Sequence, residues 1–170
     1  MLNTEKSVSL YSLWKCGQPM EKLIIQSDIN NLFDVEVFVT DICDTYNINN
    51  YAAAISVSLL QAVKNSIVHG NMNDKSKTVT ITTERFKGGI AFTVTDEGDG
   101  FDFNCYGDIP TSPGMGRGIY LMKTLSDDVT FYNHGRTVRL DFYVVGIDAS
   151  HSLERNAALK RFYSNKKVNA

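Results

Sequence analysis

Three short runs of residues have types and spacings that suit a ligand site. The first is Gln61-Ala62-Val63-Lys64-Asn65-Ser66-Ile67-Val68-His69-Gly70-Asn71. An apolar helix has little reason to carry an amide, a lysine and a histidine together. The side-chain carbonyl of Asn65 is a hard oxygen donor of the kind that suits Mg²⁺, an ion that keeps several waters and takes few protein ligands. Asn65 and His69 are four apart and share a helical face. The second run, Asp96-Glu97-Gly98-Asp99-Gly100-Phe101, directly follows a strand-like segment. Asp96 can accept a hydrogen bond from the exocyclic amino group of adenine, and Gly98 and Gly100 let a flat base approach the backbone. The third, Gly114-Met115-Gly116-Arg117-Gly118, directly precedes a helical segment. Free N–H groups at a helix start, with the positive end of its dipole, suit phosphate oxygens; Arg117 is a candidate contact to the same group. Each run has an ordinary alternative. Asn65 reads equally as a hydrogen-bonded amide, His69 as a helix-terminal residue, the acidic run as a turn and the glycine run as a flexible connection.

The elements that must position these residues follow from periodicity. Leu23-Ile24-Ile25 is a short strand, and Ser27 and Asp28 are helix-start residues. Ile29, Leu32, Phe33, Val35, Val37, Phe38, Ile42 and Cys43 form one broad face of a first helix ending near Tyr46 and Asn47. A second helix runs from about Tyr51 to His69 and stops at Gly70. Its Ala, Ile, Val and Leu content predicts that it is largely buried. Alternation then marks two strands, around Val79 and Ile81 and around Ile90, Phe92 and Val94, joined at Gly88-Gly89. A loop from Asp96 to about Gly116 leads into a third helix from near Gly118 to about Leu125. Two further strands, near 129–132 and 137–144, flank a turn at His134-Gly135. Consecutive hairpins predict an α/β (α+β) two-layer sandwich, its sheet mixed and mainly antiparallel, with helices over one face.

The chain of 170 residues is long enough for one domain with a sizeable core. A net charge of −2 gives no overall pull toward nucleic acid or an anionic membrane. The first twenty residues lack the basic start and apolar run of a signal peptide, and no apolar stretch reads as a membrane span, so a cytoplasmic setting is expected. Cys16, Cys43 and Cys105 fit no zinc spacing and read as reduced thiols.

The order and spacing of the three runs resemble the GHKL ATPase superfamily, whose boxes are an Asn-bearing helix, DxGxG and GxGxG. Asn65-Ser66-Ile67-Val68-His69-Gly70-Asn71, Asp96 to Phe101, Gly114 to Met122, Asp127-Asp128-Val129 and Thr137-Val138-Arg139-Leu140 resemble its anti-sigma-factor serine kinase branch. The resemblance covers roughly residues 22–145. It implies the Bergerat ATP-binding fold, with ATP and Mg²⁺ as cofactors. It implies that Asn65 chelates Mg²⁺, that Asp96 reads adenine with Gly98 and Gly100 beside the base, and that Gly114, Gly116 and Gly118 line the phosphates under a mobile lid. Thr137, otherwise a plain strand threonine, is the expected water-mediated partner of adenine. The implied partners are a sigma factor and an antagonist protein phosphorylated on serine, with a homodimer as the assembly. The expected organisation is an N-terminal extension over 1–21, the ATP-binding domain over 22–147 and a polar tail over 148–170.

One position departs from that pattern. Where the family has a glutamate four residues before the asparagine, this chain has Gln61. A neutral amide cannot take a proton from an attacking hydroxyl, and losing a general base costs ~10²–10⁴ in rate. Phosphoryl transfer rests largely on positioning and charge stabilisation, which a glutamine still serves. Two functions remain open: a protein serine kinase, and an ATP-gated binding module with weak or absent turnover. The catalytic domain of a histidine kinase is a poorer fit, because no helix with a phosphorylatable histidine precedes the domain.

Overall fold

A computed structural model describes residues 21–86, 88–102, 116–144, 157–161 and 164. Five strands and three long helices account for most of them: β1 (Lys22–Gln26), α1 (Leu32–Thr45), α2 (Ala52–Asn65), β2 (Thr78–Phe86), β3 (Gly89–Asp96), α3 (Arg117–Leu125), β4 (Asp128–Tyr132) and β5 (Thr137–Tyr143). The sheet order is β1-β2-β3-β5-β4. All four pairings are antiparallel, so the mixed sheet expected from the sequence has no parallel pair among the described strands. The reason is the last hairpin. β4 runs in the same direction as β3, but β5 folds back into the gap between them. Its turn needs three successive left-handed residues, Asn133, His134 and Gly135.

Register decides which side chains meet the helices. Val79 lies opposite Asp96, Ile81 opposite Val94, and Val94 in turn opposite Val138. Residues opposite one another share a face, so Ile25, Val79, Ile81, Phe92, Val94, Val138, Leu140 and Phe142 form one apolar surface, all of them buried. The other face is rich in threonine: Thr78, Thr80, Thr82, Thr93 and Thr95 are only partly buried. On the apolar face α2 packs Ile55, Leu59 and Val63 into the shared core, the turn after it adds Ile67, and α1 adds Val35, Val39, Ile42 and Cys43. These positions repeat at three- and four-residue intervals, as a single buried stripe requires. Burial pushes the Cys43 thiol up to about 11, with Asp44 adding to the effect, so it stays protonated at neutral pH.

Two expectations change. The helical stretch Asn49–Gly70, 22 residues, is long and apolar enough by composition to cross a bilayer, although the sequence suggested no such segment. Here it is the central core helix, half buried, and carries Gln61, Lys64, Asn65 and His69 near its end. The second change is at that end. α2 does not run as an α-helix to His69; it stops at Asn65 and continues as one π turn, Ser66–Gly70.

Candidate functional site

The π turn arranges one half of the site. Its wider loop closes with the Asn71 amide donating to the Ser66 carbonyl at 2.7 Å. Such single-turn π segments relocate the residues that follow them and recur at functional positions. Here the turn delivers Gly70 to the end of β3. A Cβ on Gly70 would collide with the Asp96 carboxylate, and a Cβ on Gly98 would collide with the Gly70 carbonyl oxygen. Neither position accepts a side chain, so DxGxG is seated directly on the end of the Asn-bearing helix.

Asp96 is the last residue of β3 and faces the helix layer, 7% exposed. Its backbone amide donates to the Arg136 carbonyl at 3.0 Å, and its Oδ1 accepts from the Gly98 amide at 3.0 Å. Burial holds its pKa above the usual carboxylate value. The Gly98 amide, the Ser66 hydroxyl and the charges of Arg136 and Lys77 pull the other way. A buried carboxylate with unused acceptor capacity suits a ligand that brings hydrogen-bond donors.

The other half forms where α3 meets α2. Gly116 is the N-cap of α3 with φ 70°, left-handed backbone that glycine adopts without strain, and no side chain caps the helix. The first-turn N–H groups of α3 have no intrahelical acceptor. Gly118 then sits against α2: a Cβ there would lie 3.2 Å from Gln61 Oε1 and 3.3 Å from Asn65 Nδ2. Gln61 and Asn65, four apart and partly exposed, therefore converge on the start of α3. Arg117 and His69 are exposed. Of the lid expected over Phe101 to Arg117, Gly114 and the rest of 103–115 lie outside the described residues, as do Cys16 and Cys105.

Thr137 is the first residue of β5. It pairs with Thr95, their hydroxyl oxygens 3.2 Å apart, and Asn133 Nδ2 donates to it at 3.2 Å. Successive strand residues point to opposite faces, so Thr137 shares the face of Thr95 and not that of Asp96. The residue across from Asp96 is Arg136. Asn71 is a second residue whose role sequence reasoning missed. It is fully buried; its Nδ2 donates to Ser27 Oγ (2.6 Å) and the Thr78 carbonyl (2.9 Å), and its Oδ1 accepts from the Glu97 amide (2.8 Å). The only sequence signal was a second amide just beyond the helix-ending glycine.

One glycine, Gly118, faces the Gln61–Asn65 pair at a helix start without a side-chain cap, and the buried Asp96 lies on the far end of the same helical stretch, against Gly70. Residues 25–142 match the model of the histidine kinase-like ATPase domain. The serine-protein kinase RsbW of Bacillus subtilis (strain 168) is 31% identical over 122 residues, covering 65% of this chain and 74% of RsbW. The chain belongs to the histidine kinase-like ATPase domain family, on its anti-sigma-factor serine kinase-like side. Membership implies ATP binding.

Proposed function

We propose that this chain is an ATP-dependent regulatory protein that binds Mg²⁺-ATP at the junction of α2, β3 and α3 and uses the loaded state to engage a partner protein. The observation that carries the reading is the close approach of Gly118 to both Gln61 and Asn65, which leaves little room for a side chain between them. It sets the expected phosphate cradle against the expected metal ligand. Asp96 accepts the amino group of adenine, with Gly98 and Gly100 beside the base. Gly116, Arg117 and Gly118 offer N–H groups to phosphate, together with Gly114. The Asn65 carbonyl would hold Mg²⁺. Among the described residues no group of three or more His, Cys, Asp or Glu gathers to hold a cation, so such an ion would share its coordination with phosphate oxygens and water. Bound there, Mg²⁺ would neutralise charge on the transferring phosphoryl group.

Similarity to a serine-protein kinase supports a serine on a partner protein as phosphoryl acceptor; a sigma factor or its antagonist as that partner, and a cytoplasmic homodimer as the working form, complete the proposal. Gln61 favours a second reading of the same site. It can orient an acceptor hydroxyl but cannot take its proton, so ATP occupancy would gate partner binding with little turnover. Single-turnover ATP consumption by the wild type and by Gln61→Glu, with ATP affinity measured alongside, separates the two. We expect slow wild-type turnover, similar affinity in both proteins, and a gain of up to ~10²–10⁴ in rate for Gln61→Glu. Fast wild-type transfer with no gain would establish glutamine as a working catalytic variant. Asn65→Ala checks the metal ligand. It should weaken Mg²⁺-dependent ATP binding and leave adenosine binding unchanged.

A further inference from the structure

Asp96 by itself is a poor judge of the base. Adenine and cytosine both present an amino group beside a ring-nitrogen acceptor, so a lone carboxylate receives either. Something else must distinguish a purine.

Arg136 is placed to do so. It lies across from Asp96, whose amide donates to its carbonyl, and it precedes the Thr137–Thr95 pair by one residue. Its stem passes the end of DxGxG: the His134 carbonyl closes on Gly100, and beyond it a Cβ at Gly100 would sit 3.2 Å from Arg136 Cγ. Its charge acts on the Asp96 carboxylate. Yet its one side-chain hydrogen bond among the described residues is a long one, Nε to the Asn133 carbonyl at 3.4 Å, and the side chain is exposed. An exposed cation at the end of DxGxG, only weakly tethered, is free to cover an aromatic ring held by Asp96. Arginine stacks on such rings through both its charge and its plane.

We propose that Arg136 is a specificity-determining residue of the nucleotide site. Its guanidinium covers the face of the base that Asp96 holds by the edge, and the larger stacking surface favours a purine over a pyrimidine. The inference rests on the reading of Asp96 as the base-binding acid.

The test is calorimetry on the full chain with ATP, adenosine and CTP, at pH 8, for the wild type, Arg136→Ala, Arg136→Lys and Asp96→Asn. Stacking of a cation on a ring is worth ~0.5–2 kcal/mol, so Arg136→Ala should weaken ATP and adenosine by the same factor, roughly 3- to 30-fold. The preference for ATP over CTP should narrow, and Arg136→Lys, which keeps charge without the plane, should fall between. Loss for ATP with none for adenosine would make Arg136 a phosphate contact and overturn the proposal. Full affinity at pH 8 with loss only in acid would also overturn it. In that case Arg136 would act only by keeping Asp96 ionised, alongside Lys77, Ser66 and the Gly98 amide. Arg136 is exposed, so its variants should fold normally, and an unchanged affinity in all three ligands counts against the idea. Asp96→Asn without effect would remove the acid from the base pocket while leaving the Arg136 result to be judged on its own.

Discussion

Asp96 holds the main conflict at the scale of single residues. A carboxylate 7% exposed has lost most of its hydration, and its raised pKa records that loss. The consequence for stability has a definite sign. Below the unfolded-state pKa the group is protonated in both states and contributes no penalty. As pH rises from that value through the higher folded-state pKa, the folded state holds its proton longer and stability falls. The destabilisation is complete once the pH is above the raised folded-state pKa. Asp96→Asn removes the buried charge and keeps an acceptor for the Gly98 amide. We expect it to raise the melting temperature of the nucleotide-free protein at pH 7. The same change should weaken ATP binding by roughly 10- to 100-fold, the range for a hydrogen bond to a charged group. Calorimetry and thermal unfolding on one pair of proteins check both. A variant both less stable and unchanged in ATP binding would mean that Asp96 serves the fold. Wild-type affinity for ATP should also decline in acid at a higher pH than an ordinary carboxylate would dictate. Guanine presents a carbonyl where adenine has its amino group, so GTP should bind worse than ATP.

At the scale of elements, the π turn at the end of α2 and the buried Asn71 just beyond it form one device. The turn brings Gly70 under Asp96, and Asn71 then ties the end of β1, the start of β2 and the end of β3 through Ser27, Thr78 and Glu97. An amide making three hydrogen bonds in a dry setting is hard to replace. Asn71→Ala leaves buried backbone and hydroxyl groups without partners, each worth roughly 1–3 kcal/mol. We expect the variant to lose about 3 kcal/mol in denaturant unfolding, together with weaker ATP binding, because Glu97 is the neighbour of Asp96. A loss below about 0.5 kcal/mol would show that water replaces the amide. Glu97 shows how the DxGxG run divides its labour: its carboxylate accepts from the Thr78 hydroxyl at 3.1 Å and from the Thr78 amide, so it anchors a strand.

For the whole molecule, the described part of the polar tail packs on the helix layer. Residues 157–161 are helical, and Leu159, 8% exposed, is buried with Ala54 of α2 and Leu121 and Leu125 of α3. Its sequence, with Lys160 and Arg161 beside it, reads as a solvated end; the structure seats one leucine of it on the helix layer. The division at residue 148 is therefore proposed as a boundary of the family domain, with Ala158 and Leu159 packed on that domain. Leu159→Ala should destabilise the chain by about 2 kcal/mol, near the low end for a buried leucine, because the site lies at the surface and can partly close. Urea unfolding measures it. An unchanged midpoint would mean that the tail contributes nothing to stability in solution.

Periodicity and turn chemistry were enough to read α1, α2, α3 and the five strands, because each element's burial pattern is written in local spacing. The three boxes were legible for a similar reason: glycines at helix starts and after strands, and an amide on an apolar helix, are local anomalies. Their convergence was not local. Only the packed structure places Gly118 against Gln61 and Asn65, and Gly98 on Gly70, since those contacts join residues dozens of positions apart. Strand register was equally out of reach. Thr137 and Arg136 are neighbours in sequence, and a shift of one residue sends a side chain to the opposite face of the sheet. That register put Arg136, not Thr137, beside Asp96. The π turn was hidden because its residues, Ser66 to Gly70, have ordinary helical character, and the demand that widens it comes from Asp96 on a distant strand. Local spacing determined the elements and the chemistry they carry; the tertiary packing decided which residues face one another across the site.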